Sequence, residues 1–315
     1  MRTRIIRNIL VFCICVTSVA KVQAQSFERL DVSGSWAIGT TIGMSDLWGD
    51  VGTQSIMDHY NNGQYFNKPH FMGGIFARLA VHPAFAIRAG INYGTVYATD
   101  KWNYNAAVKD QTVGTDAVQR YERFQDAKTN IWEGSLLFEL EPLRIDPMST
   151  IACRAGQPYA LFGLGYFHFQ PYSSLNGGWV KTAPLHLEGD GFPGAGFPAQ
   201  VNLYQMCIPL GFGYRFDIGP HLNLGIEYQW RMCFTDYLDG VSGKYIDPKY
   251  FDLYLSPGDA AIAKQMADKS HLAFNVGPHA PGDLRGNSSN NDSYSTISII
   301  LYWKVMVHHI PWWGK

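Results

Sequence analysis

Asp236, Asp239 and Asp247 stand within a dozen residues of one another, and three carboxylates on one loop could gather a calcium ion. Their spacing is not that of an EF-hand loop, so solvated loop acids are the simpler reading. His308-His309 offers two imidazoles, but adjacent strand residues point to opposite faces and cannot share a metal. Ser, His and Asp are scattered through the chain without a Gly-x-Ser-x-Gly nucleophile elbow. Gly39 and Gly43 follow no phosphate-loop pattern and fit closely packed strands instead. A second group mixes signs: Arg88, Glu133, Glu139, Arg215, Glu227 and Arg231. Such a set can line a polar conduit, supply a carboxylate pair for acid–base work, or neutralise itself. Neither group brings a nucleophile or a complete ligand set, so no enzyme, cofactor or metal is expected.

What positions the mixed-sign group is an alternation of period two. Leu222, Leu224, Ile226, Tyr228, Trp230, Met232 and Phe234 share one face of a strand, and Asn223, Gly225, Glu227, Gln229, Arg231 and Cys233 the other. The pattern recurs from Phe85, where Ile87, Ala89, Ile91 and Tyr93 oppose Ala86, Arg88, Gly90, Asn92 and Gly94. From Trp132, Gly134, Leu136, Phe138 and Leu140 oppose Glu133, Ser135, Leu137, Glu139 and Glu141. It returns at Ile208–Phe216 and at Ile297–Lys304, and less regularly at Asp31–Met44, Phe71–Val81 and Tyr159–Phe169. These eight segments are each about the 9–11 residues that a tilted strand needs to cross a bilayer. The expectation is an all-β fold: one eight-stranded antiparallel transmembrane β-barrel, apolar face to lipid, with the six charged residues pairing inside it.

The connections agree. His82-Pro83 and Asp217-Ile218-Gly219-Pro220 are tight turns, while long polar segments run near Ser45–His70, Ala98–Thr129, Gln170–Val201 and Thr235–Ser293. Pro142–Gln157 is a longer turn. Short turns on one rim and long loops on the other match an outer-membrane barrel with both termini periplasmic. Composition fits as well: 14% aromatic, 32 glycines and only 16% charged, with a mean hydropathy of -0.12. A net charge of -1 gives no reason to expect nucleic acid. Arg2, Arg4 and Arg7 precede an apolar stretch from Ile9 to Ala20 and the small-residue site Val22-Gln23-Ala24, the order of a secretory signal. The expected organisation is a cleaved signal peptide over 1–24 and a barrel over 25–315. Cys13 and Cys15 would leave with the peptide; Cys153, Cys207 and Cys233 remain. Cys207 and Cys233 fall on adjacent strands, which permits a bond, although an odd number argues for buried small residues.

Several loop segments are more specific than a barrel requires. Asp236-Tyr237-Leu238-Asp239-Gly240-Val241-Ser242-Gly243-Lys244-Tyr245 follows the seventh strand, and Arg285-Gly286-Asn287-Ser288-Ser289-Asn290-Asn291-Asp292-Ser293-Tyr294 leads into the eighth. Leu187-Glu188-Gly189-Asp190-Gly191 lies in the third long loop. This set resembles the PorG-like outer-membrane proteins associated with the bacterial type IX secretion system. It departs at Gly240, where another acid is expected, and at Ser293, where an aromatic is usual.

The resemblance implies a non-enzymatic component of protein secretion, embedded in outer-membrane lipid. Its implied partners are a periplasmic ring lipoprotein and the associated secretion subunit, with the barrel tethering the ring to the membrane. A surface barrel whose long loops bind a ligand or another cell is the alternative, and an enzyme or narrow channel a third. The long-loop motifs sit on the rim away from the periplasm, so they are expected to cap the barrel mouth or mark an external contact. Asp236, Tyr237 and Asp239 are expected to cluster with Arg285, its guanidinium bridging the two carboxylates.

Overall fold

The computed structural model describes residues 33–53, 68–110, 115–146, 149, 151–152, 156–194, 196–218, 221–273 and 277–305. The signal segment, Cys153, the Gly219-Pro220 turn and His308-His309 lie outside these residues. Eight strands close into a ring: β1 (Trp36–Trp48), β2 (His70–His82), β3 (Phe85–Thr99), β4 (Asp126–Leu140), β5 (Gly156–Leu175), β7 (Tyr204–Asp217), β8 (Leu222–Cys233) and β9 (Ser293–Val305). Each stave pairs antiparallel with its sequence neighbour, and β1 with β9 closes the circle from Trp36↔Val305 to Trp48↔Ser293. A closed ring leaves no stave with an unpaired edge. The expected eight-stranded antiparallel barrel is the observed fold.

The faces follow the alternation. Ile38, Ile42, Ile75, Ile91, Leu136, Phe162, Leu164, Phe212, Ile226 and Ile299 are exposed on the outside, while Arg78, Arg88, Glu133, Glu139, Arg215, Glu227 and Arg231 are buried inside. Gly39 and Gly43 behave as close-packing residues: a Cβ would lie 2.4 Å from Phe76 Cζ at Gly39 and 2.2 Å from the Ile297 carbonyl at Gly43. Cys207 and Cys233 face each other across β7 and β8 as buried free thiols.

Several staves depart from the expected limits. The first begins at Trp36 rather than Asp31 and runs to Trp48 rather than Met44; the fourth begins at Asp126 rather than Trp132; the fifth continues past Phe169 to Leu175. Toward the long-loop rim the outward positions turn polar (Lys128, Asn130, Gln170), so the apolar alternation stops while the backbone ladder goes on. Past Phe169, β5 pairs with the short arm β6 (Gly178–Lys181), joined through Asn176 and Gly177 at φ 51° and 82°, the left-handed pair of a type I′ hairpin.

The long connections are not bare polar loops. They carry helices α1 (Tyr104–Asp110), α2 (Asp116–Arg123), α3 (Lys249–Tyr254) and α4 (Pro257–Ala267). On α4, Ser256 caps the start by accepting from the Asp259 amide at 3.2 Å, and Pro257 occupies the first turn. Ala260, Ala263, Met266 and Ala267 share its buried face. That face joins Leu185, Leu187, Phe192 and Phe251 in an apolar core of its own, separate from the barrel lumen. A few dozen loop residues thus bury enough apolar surface to fold into a cap.

Candidate functional site

The lumen fills in layers. Nearest the short turns, Arg144 and Lys304 both reach Asp217, at 3.0 and 3.3 Å, and Arg144 also meets Glu141 at 2.8 Å. Above them Arg78 and Arg215 each bridge Glu139 and Glu141 at 2.6–2.8 Å. Arg88 links Glu139 at 3.2 Å to Glu227 at 2.7 Å, and the Tyr159 hydroxyl donates to Glu227 at 2.7 Å. Higher again, Glu133 accepts from Arg231 at 2.8 Å and from the Tyr294 hydroxyl at 2.6 Å. All six charges expected inside are there. Arg78, Glu141, Arg144, Asp217 and Lys304 join them, although the sequence reading did not single these five out as members. Alternation puts Glu141 and Lys304 on the inward face without counting them among the lumen charges; Arg78 lies on a less regular strand, and Arg144 and Asp217 lie beyond or at a strand end, where alternation gives no mark.

Charges removed from water are tolerable only when paired and hydrogen-bonded. This network meets that demand with planar guanidinium forks matched to carboxylates. The void beside Arg88, Gln229 and Leu137 measures about 10 Å³, about one water. The arrangement holds the staves together and fills the bore.

Over the lumen sits an apolar plug. Leu238 is fully buried in one cluster with Leu47, Ile131, Phe167, Val241 and Tyr294. Its amide donates to Asp292 Oδ2 at 2.7 Å, and its carbonyl accepts from the Thr129 hydroxyl. Asp239 accepts from the amides of Val51 and Val241, each at 2.8 Å. The Asp-Tyr-Leu-Asp run therefore has a physical reason. Its leucine stops the barrel, and its second aspartate ties β1's exit to the plug.

Glu188 gathers the neighbouring segments. It accepts from the Ser242 and Gly243 amides at 2.9 and 2.7 Å and from Arg285 Nη1 at 2.7 Å. Arg285 also donates to the carbonyls of Gly240 at 2.9 Å and Ala267 at 3.2 Å. With Gln125, which reaches the Met266 and Ala267 carbonyls, it satisfies the C-terminal end of α4. The expected Arg285 bridge to Asp236 and Asp239 is thus corrected: its carboxylate partner is Glu188. Arg285 Nη1 is occupied by Glu188 and Gly240, and Asp239 is already satisfied by backbone amides.

The other motif residues fall around this hub. Gly286 approaches so closely that a Cβ would lie 2.4 Å from Asp50 Oδ2 and 2.7 Å from the Ser242 carbonyl. Gly189 and Gly240 both have φ 76°, which accounts for a glycine at 240 where the resemblance leads one to expect an acid. Ser242 is buried, Tyr237 is half-buried, and Tyr245 stacks on His279 at 4.4 Å. Asn291 is exposed beside the cluster. Asp247 stands apart and pairs with Lys249 at 2.7 Å. Among the described residues no group of three or more His, Cys, Asp or Glu is arranged to hold a metal ion. Sequence reading also missed Arg123, which grips Asp100 with two 2.9 Å bonds and donates to the Arg285 carbonyl at 2.7 Å. A helix-borne arginine in a loop gives no signal of its partner.

No protein-family model and no curated protein matches the chain. Among solved structures, it is similar to the attachment invasion locus protein Ail of Yersinia pestis at 9% identity and a TM-score of 0.36, over 87% of this chain and 100% of that one. Neisserial surface protein A gives 10% identity and 0.34, over 86% and 97%. A major outer membrane protein from Thermus thermophilus gives 12% and 0.36, over 87% and 100%. The barrel itself is read from the strand pairings.

Proposed function

We propose that this chain is a non-enzymatic outer-membrane barrel that serves as a rigid, sealed scaffold. The observation that carries this reading is the lumen. Ion pairs cross it from β2, β3, β4, β7 and β8, and Leu238 stoppers it. A conduit needs room for solute, and an enzyme needs groups free to react. A membrane position follows from the outer surface, where apolar side chains encircle a closed ring of strands. Soluble monomers rarely leave so wide an apolar belt in water, and a closed barrel satisfies its backbone in lipid.

On the motif resemblance, the scaffold's task is structural service in type IX secretion, tethering a periplasmic ring lipoprotein and its associated subunit to the membrane. A closed lumen suits a tether, since nothing need pass through it. The alternative, a surface barrel whose cap binds a ligand or another cell, draws on the loops' having a core of their own.

Pull-down from detergent-solubilised outer membranes, read by mass spectrometry, tests the finer reading. Recovery of a ring lipoprotein supports it, and its absence under conditions that preserve the ring removes it. Thiol labelling of intact cells tests the coarser one. Asn105→Cys and Asn176→Cys, both in the long loops, should react, and Ile218→Cys on the opposite rim should not.

A further inference from the structure

We propose that the base of the cap is a proton-operated latch: Asp50, Asp236, Asp239 and Asp292 take up protons when the cap closes, and their release loosens it.

These four acids arrive from three separate stretches of chain: Asp50 from the exit of β1, Asp236 and Asp239 from the exit of β8, and Asp292 from the approach to β9. All are at most 9% exposed. Gly49 sits between Asp239 and Asp292, so close that a Cβ on it would lie 2.6 Å from a carboxylate oxygen of each.

The cations near them are engaged elsewhere. Arg123 pairs with Asp100, Arg120 with Asp116, and Arg285 with Glu188. Arg120 and Arg123 touch Asp50 at its backbone carbonyl; their charge pulls Asp50 down, and that of Arg123 pulls Asp239 down, but burial outweighs both. Backbone amides donate to Asp50, Asp239 and Asp292, whereas no amide or cation reaches the carboxylate of Asp236, which has only the Ser242 hydroxyl beside it. Glu188, itself paired with Arg285, adds negative potential to Asp50 and Asp236. Tyr237 and Tyr245 are the neighbouring phenols, both pushed upward by burial and therefore neutral.

Four ionised carboxylates cannot share such a site without counter-charge. A metal ion does not resolve the problem, because no three of the described acids are arranged around one. The proton is the remaining counter-ion. Burial pushes Asp236 up to about 8 against the pull of Ser242 beside it, and pushes Asp50 up as well. Burial first, and then the charge of Asp50, raise Asp239; burial first, and then the charges of Asp239 and Asp236, raise Asp292.

The direction of the effect follows from proton linkage. Groups that bind protons more tightly in the closed state stabilise it fully below the ordinary value of 3.8. They lose that contribution as pH rises through the raised one, for Asp236 near 8. The cap should therefore be firmest in acid and loosest in mild alkali.

Hydrogen–deuterium exchange of the refolded full-length barrel between pH 5 and 9, corrected for the intrinsic exchange rate, reads the latch. The opening constant of the 235–245 segment should rise by up to about tenfold per pH unit for each proton released, and the share due to Asp236 should level off above pH 8. Strands β3 and β4 should stay protected throughout. Asp236→Asn mimics the protonated acid and should make the rise shallower and leave the segment more closed than the wild type at pH 9. Asp292→Asn, checked for an intact barrel by gel mobility, serves if that variant fails to fold. A pH-independent opening constant overturns the proposal. So does an Asp236→Asn cap that opens with pH as steeply as the wild type, or a wild-type cap that calcium closes at pH 8 and chelator opens at pH 6.

Discussion

Glu188 and Arg285 meet at 2.7 Å although 97 positions separate them, and both side chains are almost wholly buried. The pair joins the third long loop to the approach of the last stave. Through the Ala267 carbonyl it also reaches the end of α4. Around it, segments that share no continuous secondary structure become one body.

Arg285→Met should cost the cap about 3–5 kcal/mol, because Glu188 would stay buried without its cation. The loss should appear as faster exchange of amides over 240–286, with barrel strands unaffected. Adding Glu188→Met should restore only part of it, since the Ser242 and Gly243 amides would lose their acceptor. Full restoration would mean that the backbone contacts to Glu188 contribute little.

Leu238→Ala should open a void at the mouth of the lumen and cost about 2–5 kcal/mol, the range for truncating a buried leucine. The effect belongs to the plug, so thermal unfolding of the cap should shift while the barrel's own transition stays in place. If the two transitions move together, cap and barrel are a single cooperative unit.

Ile226→Arg puts a cation on the outer face, where Ile226 is 55% exposed in a belt of apolar side chains. Near the bilayer midplane the penalty should be about 2–4 kcal/mol, measured by urea titration of the refolded protein in lipid. Gln229, on the inner face, is a contrasting site. Arginine there would act through crowding of the Glu227 and Arg88 pair rather than through hydrocarbon. An equal penalty at both sites would contradict the assignment of faces.

Much of the barrel was legible in the residue order. Leu222 to Cys233 alternate without a break: every inward position is buried, and every outward one is half-buried or exposed. The alternation faltered where β4 and β5 rise beyond the apolar belt, because outward residues there face water or cap and carry no apolar mark. Arg88, Glu133, Glu139, Arg215, Glu227 and Arg231 were legible as inward charges, since a strand's two faces are a local property. Their partners were not. Arg88 chooses Glu139 and Glu227 across the bore, a choice made by the register and the width of the closed ring.

The sequence by itself determined the class of fold, the faces of the staves and which rim carries the long loops. Each of these rests on a period of two or on the chemistry of a turn, and both act between near neighbours in the chain. Tertiary structure alone decided that Arg285 takes Glu188, that Leu238 fills the mouth, and that four aspartates share a site whose nearest guanidiniums pair with other carboxylates. Those pairings join loops far apart in the chain that meet only over the mouth of the closed barrel, so no short window of residues can contain them.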